Sequence, residues 1–452
     1  RPLSAKDGVK PGGGIQFSTE GSDNNFFGAG AGASNGVCDW ATSSLSCYNS
    51  FFGGEAGYWN TTGFANSFFG MTAGWTNTEG AHNSFFGWRA GYFNTTGGSN
   101  AFFGAQTGVS NSTGSSNAFF GSEAGFSNTT GGYNAFFGER AGYFNSTGVA
   151  NSFFGRNAGY SNTGGIANAF FGGSAGYSNT TGDYNAFFGE RAGYSNSSGF
   201  ANAFFGRSSG YSNSTGFANS FFGGSAGQSN TEGSYNTFLG VEVGYSNTTG
   251  LANSFVGAFA GYWNTTGEYN SFFGEQAGYS NTEGSSNAFY GRRAGYSNTV
   301  GEGNTFSGTL AGYANTAGNY NAFHGAYAGR FNTTGAFNAF FGVDAGFSNT
   351  TGVSNSFFGA WAGRSNTEGF HNAFFGRWAG QSNTTGNGNA GFGTSAGSSN
   401  LTGVTNAFFG HGAGLSNTVE NNNTFVGSLS DLDPGSDPST SPVTNATAIG
   451  AN

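Results

Sequence analysis

The chain is poor in much of what a globular protein is usually built from. Among 452 residues there are 5 Pro, 4 His, 2 Cys and 1 Met. Charged residues make up 8% of the chain, roughly a third of the usual share. The prolines (Pro2, Pro11, Pro434, Pro438 and Pro442) all sit near the two ends. Proline withholds the N–H that a backbone ladder needs, so its exclusion from everything between Pro11 and Pro434 argues for continuous pairing there. No apolar run approaches the roughly twenty residues of a membrane-spanning helix, so no membrane insertion is expected. No N-terminal stretch has the pattern of a targeting signal, and a chain opening on Arg1 is expected to be a processed mature form or a fragment. With 13 basic residues and a net charge of −9, there is no electrostatic footprint for nucleic acid.

Catalytic chemistry is equally scarce. His82, His324, His371 and His411 are scattered, no Cys pair has zinc-ligand spacing, and no nucleophile stands beside a base. No enzyme activity, cofactor or metal is expected. Asp431, Asp433 and Asp437 could offer oxygen ligands, but they lack the spacing of a calcium loop and read as a solvated acidic linker.

What is abundant is Gly, at 87 residues, and Phe, at 53, with aromatics making up 18%. Glycine does not fall at every third position, which excludes collagen. So much aromatic surface seeks burial, which excludes a solvated disordered chain. The order behind the composition is a repeat. The Asn before each Phe pair recurs from Asn49 to Asn423 in 22 steps of 17 residues, with one further copy at Asn24. The unit reads Asn-Ala-Phe-Phe-Gly-x-x-Ala-Gly-Tyr-Ser-Asn-Thr-Thr-Gly-x-x. An 8-residue insertion near 36–47 separates the copy at Asn24 from the rest. The chain thus divides into a lead segment, 1–22, a repeat array, 23–427, and a Pro/Asp/Ser-rich linker with a terminal repeat-like segment, 428–452.

Seventeen residues are too few for a helical-pair repeat, and three glycines per unit oppose any helix. Short strands punctuated by Gly and Asn predict an all-β fold, a parallel β-solenoid of about 24 coils. At about 4.8 Å per coil, such an array would form a rod of roughly 110 Å.

The columns of the repeat predict roles. The Asn before the Thr pair is read as a stacked ladder that caps a turn, aided by its tolerance of positive φ. At Asn60, Asn94, Asn111, Asn128, Asn145, Asn179, Asn196, Asn213, Asn247, Asn264, Asn332, Asn349 and Asn383 the same Asn opens a glycosylation sequon, so a glycosylated rod is the competing expectation. Asn77, Asn162, Asn230, Asn281, Asn298 and Asn366 keep the Asn without the sequon, which favours the ladder. Gly at the fifth, ninth and fifteenth positions is expected to supply the bends.

Adjacent strand residues face opposite sides, so only one column of the Phe pair can be interior. The first column departs from Phe only at Gly391, whereas the second admits Leu239, Val256, Ser307 and His324. The first is therefore assigned inward. The second, including Phe52, Phe69, Phe86, Phe103, Phe120, Phe137 and Phe154, is expected to form a continuous outer stripe for self-association. Tyr58, Trp59, Trp75, Tyr92 and Phe93 widen the apolar area. Cys38 and Cys47 are expected to form a local disulfide in an oxidising, secreted setting. Ile15 and Phe17 at one end, with Asn445 and Ile449 at the other, resemble partial repeats and suggest a head-to-tail subunit joint.

The repeat Asn-Ser-Phe-Phe-Gly-x-x-Ala-Gly resembles the β-roll head repeats of trimeric autotransporter adhesins and the Gly/Asn-rich repeats of phage-fibre-like surface proteins. The stretch Thr444-Asn445-Ala446-Thr447-Ala448-Ile449-Gly450 is similar to an Asn-x-x-Ala-Ile-Gly element of those heads. The resemblance implies extracellular display, fibrous shape and self-association, often as trimers. Those heads rarely carry a Phe pair in every coil, and this sequence shows neither their anchor nor their stalk.

The leading expectation is a structural subunit of an extracellular fibre or surface appendage whose main partner is itself. The alternative is a cell-surface adhesin rod that binds glycans or a surface. A minor alternative is an ice-binding array using hydroxyl files such as Ser161 and Thr163.

Overall fold

The computed structural model describes residues 24–36, 38, 39, 44–431 and 444–450, with backbone alone at 38, 39, 44 and 45. Ile15, Phe17, Asp433 and Asp437 lie outside the described residues. The fold is an all-β parallel solenoid of about 22 turns with 17-residue coils, slightly fewer than the expected 24. Among the described residues there is no helix.

The chain divides into two compact units, 1–220 and 221–452. In the first, strand Asn25–Phe27 pairs in parallel with Ser50–Phe52, placing Phe26 beside Phe51. Three-residue strands then follow at every seventeenth residue, through Ser67–Phe69 and Ser84–Phe86 to Ala203–Phe205, always with like residues in register. The insertion in the first coil holds a short antiparallel pair, Cys38–Asp39 with Ser44–Leu45. In the second unit, the same ladder runs from Thr237–Leu239 to Thr424–Val426 and closes on Thr447–Ile449.

The coils are held by main-chain bonds in every segment, not only in the strands. Gly57 N donates to Ala73 O at 2.9 Å, Trp59 N to Trp75 O at 3.0 Å, and Thr61 N to Thr78 O at 2.9 Å. This is where the missing prolines matter, because nearly every turn residue must donate.

Each coil closes around a narrow interior. From the second coil onward the first Phe of each pair is fully buried, as are the following Ala and both Asn columns, with Phe51, Ala56 and Asn60 all at 0% exposure. Glycine bends the backbone less uniformly than the sequence implied. Gly57 does adopt φ +59, and a Cβ there would collide with the Phe51 ring. Gly63, at the fifteenth position, has no positive φ. It is Gly because a Cβ would strike the Gly80 carbonyl and come within 2.5 Å of Asn60 Oδ1. The other left-handed positions are not the ladder asparagines. They are the seventh and last residues of the coil, such as Glu55 at φ 55 and Ala65 at φ 52, which tolerate many side-chain types because those side chains leave the coil.

The exception at Gly391 shows how tightly the interior is filled. Phe340 and Phe357 stack at 4.8 Å and 5°, but Phe357 and Phe374 open to 5.4 Å and 20°. Phe374 leans into the space of the missing ring, so that a Cβ on Gly391 would lie 2.9 Å from its Cδ1.

Candidate functional site

The outer Phe column is the most regular exposed feature. In the first unit it runs without a break from Phe27 to Phe205, every ring stacked on its counterpart. Phe69, Phe86 and Phe103 lie 4.7 Å apart with planes within 5°. Stacking hides the faces and leaves the edges to solvent, so Phe52 is 38% exposed and Phe69 to Phe205 are half-buried. The stripe is therefore less exposed than expected from twenty isolated rings. It is also confined: in the second unit Leu239, Val256, Ser307 and His324 interrupt it. Ser or Ala at the second coil position (Ser84, Ala101) lies beside each outer Phe on the same strand face.

Two asparagine ladders, rather than one, run inside the coils. In the first, Asn77 Nδ2 donates to Asn60 Oδ1 at 2.7 Å and to Gly80 O at 2.9 Å, and Asn94 repeats the pattern. The sequon residues from Asn60 and Asn94 through Asn213 and from Asn247 to Asn383 occupy this column, all at 0% exposure. Their Nδ2, the atom to which a glycan would be attached, is buried and hydrogen-bonded, so this fold has no room for the glycosylated alternative. The second ladder is formed by the Asn before the Phe pair. Asn66 N donates to Asn49 Oδ1 at 3.0 Å, and Asn66 Nδ2 donates to Gly80 O at 2.8 Å. Sequence reading used this column only as a landmark. Its constancy over the 17-residue repeat was the signal available for a structural role.

A third file follows the Ala-Gly. Tyr143, Tyr160, Tyr177, Tyr194 and Tyr211 stack in the first unit, and Tyr262, Tyr279, Tyr296 and Tyr313 in the second, at 4.9–5.3 Å. Burial first, and neighbouring tyrosines second, raise the Tyr194 and Tyr296 hydroxyls above the ordinary value of 10.0. On Tyr143 burial again dominates, with Glu123 adding to the rise.

The two ends differ. Cys47 is buried and is not a free thiol, while the side chain of Cys38 lies outside the described residues. At the other end, Asn445 and Ile449 belong to a segment that docks on its own chain: Thr424 N donates to Ala446 O and Gly450 N to Val426 O. Ala446 N donates to Asn423 Oδ1 at 2.9 Å, but Ala446 has no side-chain amide to continue the ladder, and Ala448 takes the place of the interior Phe. The segment therefore adds one strand while ending the ladder of Asn423 and the interior Phe column. Ile449 stands 79% exposed.

Among the described residues no group of three His, Cys, Asp or Glu could hold a metal ion, and no helix is long and apolar enough to cross a membrane. The sequence reading also passed over a cluster of Arg and Trp at residues 327–378, where the seventh and tenth coil positions change character. No protein-family model matches the chain, and no curated protein matches it.

Proposed function

We propose that the chain is a structural subunit of an extracellular fibre or surface appendage, self-associating side by side through the outer Phe file of its first unit. The observation that carries this reading is the unbroken stack from Phe27 to Phe205, eleven phenylalanines whose edges remain open to water. Each Phe edge that moves from water into a contact contributes at about 25 cal/mol per Å². A second copy is the natural occupant, because a file with the same coil spacing can set its ring edges against these edges in register along its whole length. Association of identical files is also the behaviour implied by the resemblance to adhesin heads and phage-fibre-like repeats.

Secretion fits this reading, with Cys38 and Cys47 forming a disulfide that pins the insertion onto the first coil. Thiol titration of the unfolded, unreduced protein tests that bond: no free thiol is expected, and two would remove it. Among the described residues, the outer edge of strand Thr447–Ile449 offers a place for end-to-end contact through backbone pairing.

Replacing Phe86, Phe103 and Phe120 together with Ser tests the lateral contact by light scattering. The expected result is a large fall in particle mass with coil structure retained by circular dichroism. Unchanged mass would overturn the proposal.

A further inference from the structure

We infer that four consecutive coils of the second unit, residues 321–388, carry a binding platform for an acidic polysaccharide. In much of the array the seventh coil position is small, polar or charged, as at Ser225, Gln276 and Ser395. Here, on either side of Asp344, it becomes aromatic at Tyr327, Trp361 and Trp378. The tenth position, Tyr in every coil from Tyr245 to Tyr313, becomes Arg330, Phe347, Arg364 and Gln381.

The side chains form one connected surface. Trp361 and Trp378 stack with centroids 5.6 Å apart. The Arg377 guanidinium lies 3.7 Å from the Trp378 centroid and 5.4 Å from that of Trp361. Asp344 accepts from Trp361 Nε1 at 3.1 Å and from Arg364 Nε at 3.4 Å. Arg330 and Arg364 both lie over Phe347, at 5.6 and 4.9 Å. One donor in this otherwise connected cluster is left over: Arg330 Nε is buried without any hydrogen-bond partner. That donor lies beneath the platform, where the rings of Tyr327, Phe331 and Phe347 hold the guanidinium at 5.1–5.6 Å.

The chemistry selects the ligand. The C–H face of a sugar ring packs on an aromatic face, and guanidinium groups match carboxylates or sulfates with paired hydrogen bonds. At about 4.8 Å per coil, the platform extends roughly 14 Å from the Tyr327 coil to the Trp378 coil, which a polysaccharide can follow and a small anion cannot use. These coils carry three Arg against Asp344 and Glu368, a local balance of +1 in a chain of net −9. Nucleic acid, whose bases can also stack on Trp faces, is set against this reading as a separate arm of the test.

The full chain is titrated calorimetrically with polygalacturonate, dextran sulfate, uncharged dextran and poly(dT). Binding of polygalacturonate or dextran sulfate, weakened by salt and absent for uncharged dextran, is expected, and the two arms separate carboxylate from sulfate recognition. Trp378→Ala and Arg364→Gln should each weaken it about tenfold. Exposed Arg377→Gln, which cannot disturb the interior, decides the matter if either of those variants fails to fold. Absence of binding to both acidic polymers, equal binding by poly(dT), or binding indifferent to Arg377→Gln would overturn the proposal. The fibre reading is tested separately, since the Phe86, Phe103 and Phe120 variant should disperse yet still bind.

Discussion

Asn66 and Asn77, eleven residues apart in sequence, donate their side-chain amides to one acceptor, the carbonyl oxygen of Gly80, at 2.8 and 2.9 Å. Asn83 and Asn94 do the same at Gly97. The coils thus join their two asparagine ladders at the fifteenth residue, a glycine from Gly63 to Gly403; in the coil of Asn406, Glu420 stands there and its carbonyl accepts from Asn406 and Asn417. The interior of the solenoid is apolar on the side of the Phe and Ala columns and an amide network on the other.

Asn77→Ala removes donation to Asn60 and to Gly80 and strips Asn94 Nδ2 of one of its two acceptors, leaving Gly97 O. An unsatisfied buried group costs about 1–3 kcal/mol, so a local loss of about 2–4 kcal/mol is expected. Because neighbouring coils support each other only locally, the effect should show as lost hydrogen-exchange protection in the coils around residue 77. Asn77→Asp, which buries a charge, should be worse. Protection unchanged in both variants would contradict the ladder.

The Phe pair offers an internal comparison. Phe85 is fully buried, whereas Phe86 exposes its edge. Phe85→Ala is expected to cost about 3–5 kcal/mol as a core truncation. Phe86→Ala in dispersed protein should cost about 1 kcal/mol, because most of its environment remains. Denaturant unfolding of the two variants measures the difference, and equal losses would contradict the inward assignment of the first column.

Gly142 and Arg140 have nearly the same φ, +59 and +57. A Cβ on Gly142 would enter the Phe136 ring, while the Arg140 side chain points outward and pairs with Glu123 at 2.7 Å. Gly142→Ala is therefore expected to cost about 2 kcal/mol or more, and Arg140→Ala close to nothing, since an exposed pair contributes little. Thermal unfolding compares them. Similar effects would mean that backbone conformation, rather than ring packing, fixes glycine at the ninth position.

Fold class, repeat length and the inward Phe column were legible because each is a periodic pattern with a physical reason. The Asn60 column was legible for the same cause. The Asn49 column was equally constant, but a polar residue beside a strand does not announce that it is buried; that depends on the distance across the coil to Gly63. The left-handed residues were illegible: Glu55, Arg140 and Tyr133 are poor markers of positive φ, and the ladder on both sides forces it on them. The outer stripe was found but overestimated, since stacking at 4.7 Å hides ring faces that a column of letters leaves open. The Arg330–Trp378 cluster escaped because it is visible only as a departure from two columns at once.

The raised tyrosine hydroxyls set an alkaline limit. Folded Tyr194, Tyr262 and Tyr296 hold their protons above the unfolded value of 10.0, chiefly through burial. The stabilisation is complete below that value and is lost as pH rises through the higher folded values. Stability should be flat through neutrality and fall above about pH 10, with tyrosinate absorbance rising at higher pH than in the unfolded chain. Coincident titration of folded and unfolded protein would contradict the burial of the Tyr file.

The most direct test of self-association is negative-stain electron microscopy of the native protein and of the Phe86, Phe103 and Phe120 to Ser variant, each before and after dilution. The proposal expects long fibres or bundles that persist on dilution for the native protein and dispersed particles for the variant. Uniform single particles of the native protein at every concentration would contradict it.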